Sequence, residues 1–278
     1  MAIARDDLQK KALRFPDSEV LYDYDFLDSP DLHGFEQLYS GHYEPPIGWD
    51  RKGMWIGTEN VPGQIATAIK RNTYYDRFNF VRLEAWVSLA QWYGDANIRG
   101  FEIGIDQANN AGARRYFSLR RVFTRTGGAT QPTNRWDVKT GGDLGGANSY
   151  TVLPGQGTAS GLVLESTTTE PTGFTSAWPA WTTNENKRNT MYMALDIDPV
   201  RGCYLGVRFQ DYALGTCRPS GAEDPTITAL LGQDSSLPRF ANGLNVSFDL
   251  RAQLGGVTAT GADAYVERVR LSGKKVAA

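Results

Sequence analysis

Strict alternation of apolar and polar residues constrains this chain more than any other feature. From Leu244 to Leu254, residues Leu244, Val246, Phe248, Leu250, Ala252 and Leu254 point one way, and Asn245, Ser247, Asp249, Arg251 and Gln253 point the other. Val81–Leu89 repeats the pattern, with Val81, Leu83, Ala85, Val87 and Leu89 inward and Arg82, Glu84, Trp86 and Ser88 outward. Met191, Met193, Leu195 and Ile197 also share a face. A period of two marks a half-buried strand, because successive side chains leave a strand on opposite sides. Further strands are expected at Glu19–Phe26, Met54–Thr58, Gln64–Ile69, Arg99–Ile105, Arg115–Phe123, Cys203–Phe209 and Ala264–Leu271. The total is roughly nine to eleven strands separated by turn clusters, the pattern of an antiparallel sandwich or barrel. Parallel strands would need long helical crossovers, and the sequence offers none, so an α/β fold is excluded.

Between these strands the composition changes. Arg5–Arg14 has a short helical pattern, with Leu8, Ala12 and Leu13 on one side, so residues 1–18 read as an N-terminal helix or arm. Residues 124–190 are rich in Gly, Thr, Ser, Asn and Pro and read as a long loop insertion, with short β-like pieces at Arg135–Lys139, Tyr150–Leu153 and Gly161–Leu164. A second loop-like stretch runs from Gly215 to Gly243. Long loops within one domain are usually functional or partner-bound. Neither a repeat nor a linker composition splits the chain, so 1–278 reads as a single domain.

A net charge of −2 and a pI near 5.8 argue against nucleic acid as a partner, since phosphate affinity needs a basic surplus. The arginines at 114, 115, 120, 121 and 125 cluster on one expected strand, but adjacent strand residues face opposite ways. They read as a solvated strand with cross-strand ion pairs. With no run of about 18 apolar residues, no membrane helix is expected. Met1–Pro16 is charged throughout and lacks the apolar centre of a secretory leader, so synthesis in the cytoplasm is the expectation. Without a leader, Cys203 and Cys217 read as buried free thiols, although a hairpin could bring them within bonding distance.

The inventory of reactive groups is short. Two histidines, His33 and His42, make neither a zinc site nor a catalytic triad, no GxSxG elbow is present, and both read as turn or core residues. The glycine pairs lie in loops without the strand–Gly–helix setting of a phosphate cradle. Glycoside hydrolysis needs only two carboxylates, and Glu102 and Asp106, four apart on one strand face, are the candidate catalytic pair. The same spacing fits two acids on the polar side of a strand. Aromatic residues favour a binding surface: Trp86 lies on a polar strand face beside Glu84 and Arg82, Trp92 follows at the strand end, and Trp178 and Trp181 sit in the loop SAWPAW. Flat rings flanked by polar groups suit sugars and protein interfaces alike. No cofactor motif is present; a structural calcium is the one ion the composition accommodates, with Asp196, Asp198 and Asp263 near likely rims.

The segments YDYDFLDSPDLHGFEQLYSG (22–41), NENKRNTMYMALDIDP (184–199) and DAYVERVRLS (263–272) resemble jelly-roll, concanavalin-like modules of bacteria and their phages. The strand FEIGID (101–106) also looks like the ExDxE strand of jelly-roll glucanases, with Gly104 in place of the middle acid and Asp106 in place of the last Glu. The resemblance implies an all-β, antiparallel jelly-roll sandwich. Its members include glycan-binding modules, glycosidases and virion components. The leading expectation is a non-catalytic structural or recognition protein within a larger particle such as a phage virion, a tail or capsid decoration. Protein partners or a homo-oligomer, and a glycan ligand, go with it. The alternative is a carbohydrate-binding protein or a glycoside hydrolase.

Overall fold

The computed structural model describes residues 18–38, 47–58, 64–71, 78–90, 98–108, 114–126, 129–141, 149–152, 162–164, 189–199, 203–209, 212–215, 243–252 and 263–275. These residues form sixteen strands and no helix. In chain order they are β1 (Glu19–Asp25), β2 (Glu36–Leu38), β3 (Ile47–Asp50), β4 (Gly53–Gly57), β5 (Ile65–Lys70), β6 (Phe78–Ala90), β7 (Ile98–Ala108) and β8 (Arg114–Thr126). They continue with β9 (Ala129–Gly141), β10 (Ser149–Val152), β11 (Leu162–Leu164), β12 (Asn189–Asp198), β13 (Cys203–Phe209), β14 (Tyr212–Gly215), β15 (Gly243–Ala252) and β16 (Asp263–Lys275). The N-terminal arm, Cys217, His42 and most of the Gly215–Gly243 stretch lie outside the described residues.

The strands make two sheets. The first has the order β14-β13-β12-β6-β16-β4-β3, with β1 also on β16; the second runs β11-β10-β9-β8-β7-β15-β5-β2. Every pairing is antiparallel. This is the antiparallel jelly-roll sandwich that the resemblance implies, built on the strands that the alternating segments predict. The inward sets meet in a single core: Leu83, Ala85, Met193, Leu195, Val269 and Leu271 of the first sheet face Phe101, Ile103, Phe117, Leu119, Val246 and Phe248 of the second. Each such side chain contributes about 1.5–3 kcal/mol when removed from water. Phe248 lies near the middle of this layer, its ring centroid 5.5 Å from Phe35 and 6.3 Å from Phe101.

Two details fix the arrangement, one between the layers and one within the first sheet. Tyr204, fully buried on β13, reaches across the core; its hydroxyl accepts the Ser118 N–H at 2.9 Å and donates to the Lys139 carbonyl at 2.6 Å. The β8–β9 ladder stops at Leu119–Val138, so the hydroxyl satisfies backbone groups just beyond its end. The other detail is a bulge in β16 between Val266 and Arg268. Before it, Asp263–Val266 pair with β4; after it, Arg268–Gly273 pair with β1. At the switch the Phe26 N–H donates to the Glu267 carbonyl at 2.9 Å, and the Trp49 indole N–H donates to the Phe26 carbonyl at 2.7 Å. A bulge of this kind bends the strand and lets it change partners, here with the Glu267 carbonyl still taken by Phe26.

The span expected to be a loop, 124–190, contains the end of β8, all of β9 and the short β10 and β11, which extend the second sheet at one edge. Its Thr and Asn residues are paired in register from Thr124–Thr133 to Arg120–Asp137. Cross-strand pairing there outweighs a composition that reads as loop. No helix among the described residues is long and apolar enough to cross a membrane.

Candidate functional site

The alternation that supplies core residues also sends polar side chains to the outer face of each sheet. On the second sheet, one rung runs across four strands: Asp137 of β9 pairs with Arg120 of β8, Arg120 with Glu102 of β7, and Glu102 with Asp249 of β15. Asp249 is followed by Thr67 of β5. The next rung along holds Ser118, Gly104 and Ser247. Directly opposed residues have Cβ atoms about 4.5–5.5 Å apart, so the register alone places two carboxylates, Glu102 and Asp249, side by side.

The two acids are held differently. Glu102 is fully buried; the Arg251 guanidinium donates to its Oε2 at 2.9 Å and the Tyr150 hydroxyl to the same oxygen at 3.2 Å. The Tyr150 ring in turn lies 3.3 Å from the Arg120 guanidinium carbon, and Arg120 donates to Asp137 at 2.8 Å. Asp249 is partly exposed and has no cationic partner among the described residues: Tyr116 Oη approaches its Oδ2 at 3.5 Å, and its Oδ1 is buried without a hydrogen-bond partner. Burial, then the Glu102 charge, pushes the Asp249 carboxyl up to about 6; Arg251, the Thr67 hydroxyl and Lys139 pull the other way.

Tyr116 lies flat over β7. A Cβ at Gly104 would meet its hydroxyl at 2.4 Å, so only glycine lets the ring cross to β15. There its hydroxyl shares a hydrogen bond with Ser247 at 3.0 Å, while the Lys139 ammonium sits 4.7 Å from the ring centre. Burial and the Asp249 charge hold the Tyr116 hydroxyl well above its ordinary value, so it stays protonated. The result is a strip in which Tyr116 and one carboxylate are partly exposed over the buried Ser247 hydroxyl, bordered by closed ion pairs.

The candidates on the first sheet are buried. Trp86 is 2% exposed; its ring packs against Tyr192 at 5.2 Å, with the Arg268 guanidinium 5.4 Å away. Glu84 accepts from the Tyr192 hydroxyl at 2.7 Å. Arg82 grips Asp196 with two hydrogen bonds, of 2.6 and 2.5 Å. Asp23 of β1 joins the network, accepting from both Arg268 and Arg270. Its burial raises the pKa, but these arginines outweigh it and hold the carboxyl below its ordinary value. The face Arg82–Glu84–Trp86 is therefore a packed layer rather than an open platform. Trp92, Trp178 and Trp181 lie outside the described residues.

Glu102 and Asp106 do share the outer face of β7, but both are buried, and Glu102 is committed to Arg251. The acid beside Glu102 in space is Asp249, not Asp106. Its outward direction was readable from the alternation in Leu244–Leu254; its partner was not, because the β7–β15 register is a tertiary fact. Among the described residues no three His, Cys, Asp or Glu side chains converge as a metal site. Of the rim acids, Asp196 is taken by Arg82 and Asp263 accepts the Trp55 indole N–H at 2.8 Å. His33 has a positive φ of 51°, takes the Asp31 carboxylate on its backbone N–H at 2.8 Å and stacks on Tyr24.

Fold and site together define an all-β antiparallel sandwich with a partly open polar strip on one sheet. No family model matches the chain, and no curated protein matches it. Among solved structures it is similar to the lectin from Bauhinia forficata in complex with GalNAc (9% identity, covering 92% of this chain and 99% of the other, TM-score 0.46). It is also similar to the basic winged bean lectin with Tn-antigen (10%, 92% and 99%, 0.45) and to the endo-1,3-beta-glucanase from Streptomyces sioyaensis (12%, 95% and 99%, 0.44).

Proposed function

We propose that this protein recognises glycan through the outer face of its second sheet, without catalysis, as a component of a larger particle such as a phage virion. The observation that carries the reading is the pair Tyr116 and Asp249, each partly exposed and joined through the buried Ser247 hydroxyl, on a face whose other described charges are largely closed into pairs. A ring edge, two hydroxyls and a carboxylate match what a sugar offers: hydroxyl donors and acceptors around an apolar C–H surface. Trp92, Trp178 and Trp181, outside the described residues, are further candidates for stacking on a sugar.

Retention on immobilised polysaccharides, bacterial cell-wall glycans included, tests this reading. Selective retention that disappears in Gly104→Ala, which displaces Tyr116, and in Trp178→Ala supports it; absence of retention across the panel removes the glycan half. Glycoside hydrolysis is the second reading, favoured by one observation. Glu102 and Asp249 are directly opposed carboxyls, and burial with the Glu102 charge pushes the Asp249 carboxyl up to about 6. The complete burial of Glu102 speaks against it. Release of reducing ends from any retained polysaccharide would turn the assignment to the enzyme.

A further inference from the structure

Asp249 is anomalous among the acids of its sheet face. Glu102 has Arg251, and Asp137 has Arg120. Among the described residues Asp249 has hydroxyl contacts and no ion-pair partner, and one of its oxygens is buried with no hydrogen-bond donor. A carboxylate that gives up water without a compensating partner is unfavourable, and the Glu102 carboxylate directly opposite adds repulsion. Two cations stand near, but Arg251 is engaged with Glu102 and Lys139 lies over the Tyr116 ring. The residue is nonetheless partly exposed, so the missing counter-charge can arrive from solution.

We infer that the strip formed by Tyr116, Ser247 and Asp249 takes a glycan bearing a free amine, with the sugar's ammonium group on the Asp249 carboxylate. This rests on the glycan-binding reading and names its substrate class. The ammonium supplies donors to an acid that has only hydroxyl contacts, and it offsets the Glu102 charge. A neighbouring sugar hydroxyl meets Tyr116 Oη, which the buried Ser247 Oγ holds in place at 3.0 Å. An N-acetylated sugar of the same shape supplies one amide N–H and no charge. A carboxylated sugar would set a third acid beside Glu102 and Asp249. Charge-assisted hydrogen bonds are about twice as strong as neutral ones, so the discrimination lies in this single contact.

The test is isothermal titration of the full chain with a glucosamine tetramer and an N-acetylglucosamine tetramer at a pH of about 6, the value at which Asp249 is half ionised. The free-amine oligomer is expected to bind at least about tenfold tighter. Asp249→Asn, which keeps the side-chain shape, should abolish that preference while its melting curve stays cooperative. Heats measured in two buffers should show proton release from Asp249 in the wild type and none in the variant. Equal or tighter binding of the N-acetylated tetramer overturns the inference. So does an unchanged preference in Asp249→Asn, or failure of both tetramers while another polysaccharide is retained; in each case glycan recognition stands. If nothing on the polysaccharide panel is retained and neither tetramer binds, both readings fall.

Discussion

Protonation of Asp249 links stability to pH, and the direction follows from two values, an ordinary 3.8 and about 6 in the folded chain. Between them the folded protein holds a proton that the unfolded chain releases, so stability rises as pH falls through that window. Asp249→Asn removes the effect: the variant should be more stable than wild type at pH 7, by at most about 3 kcal/mol, with the gap closing towards pH 4. Thermal melts across pH 4–7 read this directly, and a gap that does not depend on pH refutes it. Asp23 has the opposite sign. Its lowered pKa gives stability that is present above 3.8 and lost as pH falls through the folded value. Asp23→Asn should therefore flatten the acid limb of the wild-type profile. Glu102→Gln is a harsher change, because it removes the buried carboxylate on which Arg251 and Tyr150 converge. It should cost roughly 3–5 kcal/mol, the range for breaking a buried ion pair, measured as a lowered denaturant midpoint.

Among the elements, the strongly periodic strands were legible in the sequence, as were the short β10 and β11, while β2, β3 and β14 were not. β6 and β15 carry long alternation, and their inward residues form the observed core. β2, β3 and β14 have three or four residues each, too few for a period to show. Alternation also tells which face a residue takes, not whether that face is covered. It correctly puts Trp86 on the outer face, and Tyr192 and Arg268 then bury it. Tyr204 was equally hidden: a tyrosine within CYLGVRF gives no sign that its hydroxyl will serve the backbone of the opposite sheet. Tyr204→Phe leaves the Ser118 N–H and the Lys139 carbonyl without that hydroxyl. The cost should be about 1–3 kcal/mol, with faster amide exchange at Ser118 as its local signature. The β3–β4 turn depends on Gly53, which has φ +123°, and a Cβ there would meet the Val266 carbonyl at 2.5 Å. Gly53→Ala should destabilise by more than about 1 kcal/mol, because neither the dihedral nor the space suits alanine.

For the whole molecule, the decisive fact is where the ends of the chain meet. β16, nearly the last segment, lies inside the first sheet, pairing along its length with β6 and on its other edge with β4 and then β1. No local signal sets these partners; they follow from which apolar faces must be covered together once both sheets exist. The bulge at Glu267, where the partner changes, could not be placed from the sequence for the same reason. Contacts between the first and last strands must close a loop of almost the full chain, and such non-local pairing slows folding to about the millisecond-to-second range. Without β16, β6 has an unpaired edge, and Val266, Val269 and Leu271 vanish from the core. A chain ending at residue 262 should thus lack a cooperative thermal transition and bind a hydrophobic dye. Adding residues 263–278 as a separate peptide should restore the transition in proportion to peptide concentration, as expected for a ligand that binds only the folded form. A cooperative melt of the truncated chain alone would show that the core closes without its central strand, and the sandwich would have to be held by β6 and the second sheet.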